Sequence, residues 1–216
     1  ADKLRQAAGT AAKCAEKANF KTVSFYIPAN NSVKDVYAGL AKSNDSFTQT
    51  VVEGGLLSLY HFDKYKQPAK EKPSRISQII LLANVKSQVS SMRSAVSRGR
   101  KLATAVAASR DLISQPSNTA TPSYLAGKAR EFAKSFGMTC KVLTIRDMNR
   151  LGMGALLGVS KGSEEPPAFI ILEHHGGTKN DPPVVIVGKG ITFDTGGISL
   201  KPPAKMDEMK MDMSGG

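Results

Sequence analysis

The sequence predicts an α/β protein of one or two domains. Helix-like and strand-like segments alternate along its 216 residues, the pattern expected when helices cover a sheet. A hydrophobic content of 41% is ample for a sizeable core. An apolar, β-branched run at residues 184–187 is typical of a buried parallel strand. Because ligands collect at the carboxyl ends of such strands, the functional site is expected just after this run.

Helices and strands alternate in the first part of the chain. The alanine-rich start favours a helix, and Ser32 after an Asn-Asn turn is the expected N-cap of a later one. A third helix is predicted despite Gly54 and Gly55. A polar stretch with two prolines at residues 67–73 predicts a loop. The predicted elements are helices at residues 4–17, 32–41 and 47–60 and strands at residues 22–27 and 76–83.

The second part begins with a long helix at residues 85–115, which suits a connector between two domains. We therefore expect one domain at residues 1–86 and another at residues 87–216. Thr121 is the predicted N-cap of the next helix, Pro122 its first residue and Gly137 its terminator. The further predicted elements are helices at residues 122–136 and 145–151 and strands at residues 138–144, 167–174 and 183–187. The glycines at residues 152–158 do not fit a dinucleotide-binding loop.

Four polar residues follow the run at residues 184–187. Lys189, Asp194, Lys201 and Asp212 are separated by five, seven and eleven positions, and glycines between them permit the chain to fold back. Two carboxylates beside two lysines would suit a divalent cation. A lysine that binds a metal ion must first lose its proton, which costs about 4 to 5 kcal/mol at pH 7. A more distant lysine would stay cationic and stabilise a developing anion. The alternative is two surface salt bridges on a glycine-rich turn.

These residues stand in three short motifs: GKG at residues 188–190, TFDTGG at residues 192–197 and DMSGG at residues 212–216. With a lysine seven positions past the first aspartate, the set resembles the signature of the leucyl aminopeptidase (cytosol aminopeptidase) family of dinuclear metallopeptidases. By that resemblance Asp194 would bridge two metal ions, and Lys189 and Asp212 would bind the tighter one. Lys201 would face the substrate carbonyl, and Met209 would line the pocket for the first side chain of the substrate.

The resemblance also implies a structural turn at residues 152–158, a fold, cofactors and partners. The fold would be a smaller amino-terminal, macro-like α/β domain, a linking helix, and the first half of a catalytic α/β domain with a mixed sheet flanked by helices. The implied cofactors are two divalent ions, zinc or manganese, with bicarbonate in the full-length enzyme. The implied substrates are peptides with a leucine-like first residue, and the implied assembly is a homohexamer.

Members of the family continue to an N-T-D-A-E-G-R segment with further metal-binding carboxylates, which this sequence does not contain. Their amino-terminal domain also opens with strands that would precede Ala1. We therefore expect an internal piece of a longer enzyme. The 216 residues alone are expected to bind at most one metal ion weakly and to hydrolyse leucine anilides poorly or not at all.

A net charge of +12 leaves other functions open. Basic residues concentrate between Lys64 and Arg110, so a DNA-binding accessory protein is one alternative, and a catalytically silent oligomeric scaffold is another. The basic stretch lacks a nucleic-acid motif, which favours a solvated helix face or charge balanced elsewhere.

No membrane span or signal peptide is evident, and Cys14 and Cys140 form no metal or redox motif, so a cytoplasmic protein with reduced thiols is expected. Neither the adjacent pair His174 and His175 nor Glu208 is expected to bind a metal ion.

Overall fold

The computed structural model describes residues 1–28, 43–67, 75–178 and 180–216. The helix predicted at residues 32–41 and most of the loop predicted at residues 67–73 lie outside the described residues. The chain divides into two compact units, residues 1–110 and 111–216. The domain boundary that the sequence suggests after residue 86 stays a prediction.

The first unit combines a parallel strand pair with helices. Its elements are α1 (Asp2–Lys17), β1 (Thr22–Ile27), α2 (Asn44–Ser58), β2 (Gln78–Ala83), a 3₁₀ turn (Lys86–Gln88) and most of α3 (Val89–Ser114). Strands β1 and β2 pair in parallel, with Thr22 opposite Gln78. The core contains Ile27, Phe47, Val51 and Met92. The strand predicted at residues 22–27 is confirmed with the same bounds.

Helices α1 and α2 approach each other closely at Gly54. A Cβ atom added there would lie 2.2 Å from the carbonyl oxygen of Arg5. Beside this contact, Arg5 Nη2 lies 2.9 Å from Oε2 of the buried Glu53, whose Oε1 accepts a hydrogen bond from Gln49 Nε2 at 2.9 Å. The buried carboxylate is therefore both paired and hydrogen-bonded, as burial of a charge requires.

The second unit contains an antiparallel strand pair and short helices. After the end of α3, its elements are α4 (Pro122–Phe136), β3 (Thr139–Leu143), α5 (Ile145–Arg150), α6 (Gly154–Ser160), β4 (Phe169–Glu173) and a 3₁₀ helix (Met206–Gly215). Strand β3 pairs antiparallel with β4, with Leu143 opposite Phe169. The α/β class is confirmed, since helices accompany both a parallel and an antiparallel pair.

The predicted start and end of α4 are confirmed. The Oγ1 atom of Thr121 accepts a hydrogen bond from Tyr124 N at 3.2 Å, which satisfies one of the unpaired donors of the first turn. Gly137 closes the helix in the left-handed conformation, with φ +64°. Local side-chain chemistry alone was sufficient to predict both ends of this helix.

Two predictions for this unit are wrong. Residues 183–187 form no strand, and Val184 and Ile186 are each 91% exposed. A buried strand needs hydrogen-bonded neighbours, and within the described ranges β3 and β4 pair only with each other. The predicted turn at residues 152–158 is largely helical, because Gly152 makes the turn alone, with φ +69°, and the Ala-Leu-Leu sequence after it favours α6.

Candidate metal centre

The backbone of the GKG turn at residues 188–190 lies against the end of the 3₁₀ helix. A Cβ atom on Gly188 would lie 1.8 Å from the carbonyl oxygen of Gly215, and one on Gly216 would lie 2.8 Å from the Cα atom of Gly190. Only residues without a side chain permit this approach. The first and last motifs of the signature are thus joined by backbone packing.

This packing brings Lys189 to Asp212. The two side chains, 23 positions apart in the sequence, form an ion pair with 2.5 Å between Nζ and Oδ2. Both are about half exposed, and ion pairs in such surroundings contribute only about 0 to 1 kcal/mol to stability. The contact is therefore more informative about placement than about stability, because it sets an amine and a carboxylate side by side.

A second ion pair joins Asp194 of the TFDTGG motif to Lys201, which follows that motif. Lys201 Nζ lies 3.1 Å from Oδ1 of Asp194 and donates a hydrogen bond to the carbonyl oxygen of the same residue at 3.0 Å. Gly196 N donates to Asp194 Oδ1 at 2.8 Å. With φ +96°, Gly196 adopts a conformation that favours glycine, and the backbone bond from Lys201 N to Thr195 O closes the loop at 2.9 Å.

The surroundings of Asp194 lower the pKa of its carboxyl group. The main cause is the hydrogen bond from Lys201; partial burial opposes it, and the hydrogen bond from the Gly196 N–H lowers the pKa further. The charges of Lys201 and Lys189 also lower this pKa. Since Lys189 pairs with Asp212 and also acts on Asp194, the two ion pairs belong to one electrostatic cluster.

We expect this cluster to give Asp194 a distinctive titration in metal-free buffer. Because the pKa is lower in the folded state than in the unfolded state, the carboxylate adds stability above the usual aspartate range. That contribution is lost as the pH falls through the lowered value. Carbon-13 NMR of the aspartate carboxyl groups should show Asp194 titrating below the usual range. Lys201→Met should raise its pKa, and Lys205→Met should not. A normal pKa in the unsubstituted chain would contradict the described contacts.

The 3₁₀ helix Met206–Gly215 supplies the remaining predicted site residue. Met209 and Asp212 are three positions apart, and with three residues per turn they share one face of this helix. Met209 is 39% exposed, whereas Met213 is buried. A side chain that lines a substrate pocket must be accessible, and Met209 meets that condition.

Comparison with known proteins identifies the family. The profile described as "Cytosol aminopeptidase family, catalytic domain" matches residues 107–216, just over half of the chain. The profile of the N-terminal domain of the same family matches residues 1–69. The chain belongs to the cytosol aminopeptidase family.

Curated relatives agree with this membership. A probable cytosol aminopeptidase of Geotalea uraniireducens is 41% identical over 215 residues, which are 99% of this chain and 41% of the relative. One from Syntrophotalea carbinolica is 44% identical over 168 residues, covering 77% of this chain and 34% of the relative. The chain thus spans about two-fifths or less of the length of these curated relatives.

Solved structures show the same fold. The bottromycin maturation enzyme BotP in complex with Mn is 31% identical, with a TM-score of 0.74, over 98% of this chain and 41% of that one. A mutant of tomato leucine aminopeptidase gives a TM-score of 0.77 over 98% of this chain and 39% of that one. At 20% identity, the tomato enzyme supports the fold alone.

The donor set of this cytosol aminopeptidase family member fits a divalent ion. Lys189 Nζ and Asp212 Oδ2 are in direct contact, so both could reach a single ion at the usual bond lengths of about 2.0 to 2.2 Å. The carboxylates of Asp212 and Asp194 are each paired with a lysine ammonium group. A divalent cation could replace the ammonium group as the positive partner of each carboxylate. In the described parts of the chain, no three or more His, Cys, Asp or Glu side chains group as a metal site.

The structure also locates the other candidates named from the sequence. His174 and His175 are both exposed beyond the end of β4, and Glu208 is exposed on the 3₁₀ helix. Within the ranges that the structure describes, none of them contributes to a metal-binding group of acids, histidines and cysteines. No described helix is both long and apolar enough to cross a membrane.

Part of the basic stretch between Lys64 and Arg110 is neutralised by acids from other segments. Arg75 lies 3.7 Å from Glu16 and 2.6 Å from Asp63, and Arg98 lies 3.6 Å from Asp45. Glu16 and Asp45 are distant in sequence, so the sequence pattern overstated the local excess of charge. Nothing in these contacts favours a DNA-binding role.

Proposed function

We propose that this chain is part of a metal-dependent aminopeptidase that removes the amino-terminal residue, preferably leucine-like, from peptides. The observation that carries the proposal is the direct contact of Lys189 with Asp212, together with the Asp194–Lys201 pair on which the charge of Lys189 also acts. Membership of the cytosol aminopeptidase family supports it. A pair of ordinary surface salt bridges would not require glycines at Gly188 and Gly196, yet both positions exclude any side chain.

Each residue of the cluster has a proposed role. Asp194 would bridge two metal ions, and Lys189 and Asp212 would bind the tighter one. These roles are supported by the contact of the Lys189 amine with the Asp212 carboxylate and by the effect of the Lys189 charge on the pKa of Asp194. Met209, exposed on the same helical face as Asp212, would contact the first side chain of the substrate. Its flexible apolar side chain suits leucine-like groups.

Lys201 would stabilise negative charge on the substrate carbonyl oxygen. Bound divalent ions would supply a Lewis acid and an activated water. Lys201 is held by two contacts to Asp194 and is only 29% exposed, so its ammonium is oriented before substrate arrives. Preorganised donors of this kind stabilise the charge that develops as water attacks a carbonyl.

Zinc or manganese would be the ion, since oxygen and nitrogen donors suit both. The manganese complex of the similar enzyme BotP supports manganese.

We further propose peptides as substrates, a homohexamer as the assembly and the cytoplasm as the compartment. The similarity to probable cytosol aminopeptidases supports the compartment.

The proposal is tested by titrating the purified 216-residue chain with Mn²⁺. The three proposed ligands should hold at most one ion per chain, weakly, because the looser site has only Asp194. Electron paramagnetic resonance of unbound Mn²⁺ gives the stoichiometry and the dissociation constant, and a leucine anilide assay gives turnover. We expect weak binding near one equivalent and little or no hydrolysis. Absence of binding would contradict the metal roles, and robust turnover would contradict the expectation that these ligands alone are insufficient.

A further inference from the structure

Lys210 closes the end of a helix that lies 96 positions earlier in the sequence. Its Nζ donates a hydrogen bond to the carbonyl oxygen of Ser114 at 3.3 Å, and Ser114 is the last residue of α3. The last four carbonyl groups of a helix have no partner within it, and a cation there also interacts favourably with the helix dipole. Another of these four carbonyl groups, that of Asp111, accepts a hydrogen bond from Gln115 Nε2 at 2.9 Å.

The 3₁₀ helix Met206–Gly215 is thereby fixed on both sides of Asp212. Lys210 holds it on the amino-terminal side. On the other side Met213 is buried and Gly215 packs against the GKG turn. Lys210 and Asp212 are separated by about 4 Å along a 3₁₀ axis, so movement at one is transmitted directly to the other.

We infer that Lys210 is a positioning residue that sets the location of Asp212 and of Met209. This inference rests on the proposed function only in giving those two residues their roles; the anchoring itself is independent of any metal ion. Without the bond to Ser114, the amino-terminal half of the 3₁₀ helix would lose its polar anchor. Asp212 would then leave Lys189 for part of the time, and metal affinity would fall.

The test compares Lys210→Met with Lys205→Met and Lys210→Arg. Methionine retains most of the apolar stem and removes the donor. Lys205 immediately precedes the same helix. Among the described residues its side chain makes no hydrogen bond or ion pair, so its replacement removes the same charge without removing an anchor. Arginine restores a donor. Two measurements apply to each variant: Mn²⁺ affinity by paramagnetic resonance, and hydrogen–deuterium exchange of a peptide covering residues 206–216 without metal.

Lys210→Met should weaken Mn²⁺ binding about tenfold, at the lower end of what partners that orient metal ligands contribute. It should also raise exchange in residues 206–216. Lys205→Met should change neither, and Lys210→Arg should recover most of both. If Lys210→Met and Lys205→Met behave alike in exchange, the inference is wrong. If no chain binds Mn²⁺ while exchange still separates the variants, the metal function fails and the anchoring role stands.

Discussion

Replacement of Asp194 by asparagine is expected to lower the Mn²⁺ affinity of the chain by at least about 100-fold. Loss of an outer partner of a metal ligand typically costs about 10- to 100-fold, and Asp194 is proposed to bind both ions directly. Asparagine keeps the size of the side chain and removes its charge. The backbone carbonyl that accepts from Lys201 is unchanged, so the loop should keep its form. Competition of each variant with a metal-sensitive dye would measure the difference.

Asp207 supplies the matched control for this substitution. It is an exposed carboxylate in the first turn of the 3₁₀ helix. Asp207→Asn removes the same charge from a position outside the three motifs. We expect less than about a twofold change in affinity, because exposed charges at a distance are largely screened by salt. Equal losses in the two variants would mean that general electrostatic attraction, and not ligation by Asp194, holds the ion.

The substitution Gly54→Ala is expected to lower the stability of the folded chain substantially. The added Cβ atom would lie 2.2 Å from the carbonyl oxygen of Arg5, 3.0 Å from its carbonyl carbon and 3.1 Å from the Cβ atom of Ala8. Two of these atoms belong to the backbone of α1, so the contact can be relieved only by moving the helices apart. Overpacking typically costs about 1 to 3 kcal/mol, and we expect about 3 kcal/mol here, because separation would also disturb the buried Glu53.

Gly127→Ala is the control for this change. Gly127 lies inside α4. Apart from its chain neighbours and the nearby backbone of its own helix, no described atom would lie within 4 Å of a Cβ atom there. Alanine should therefore stabilise this helix by about 0.5 to 1 kcal/mol through its higher helix propensity. Urea denaturation followed by far-ultraviolet circular dichroism should give opposite shifts for the two variants. An undiminished stability of Gly54→Ala would show that α1 and α2 do not approach as described.

Much of the local structure could be predicted from the sequence. Strand β1 alternates and stops at Pro28, and α4 has its N-cap at Thr121 and its terminator at Gly137. These signals act between residues a few positions apart, so a linear sequence contains them in full. The motifs of the candidate centre were recognisable for the same reason, because their residues keep a fixed spacing along one segment.

The tertiary structure decided where distant segments meet. Gly54, which the sequence presents as a weakness in a helix, is the point where α1 can touch α2. The run at residues 184–187 has the composition of a buried strand but is exposed, because burial requires neighbours that composition does not specify. Lys210 resembles any solvated lysine until the fold brings it to Ser114. The sequence therefore determined both ends of α4, the approximate positions of the four described strands and the four polar residues of the candidate centre. Steric fit and long-range polar contacts, which depend on three-dimensional proximity, determined how they are held.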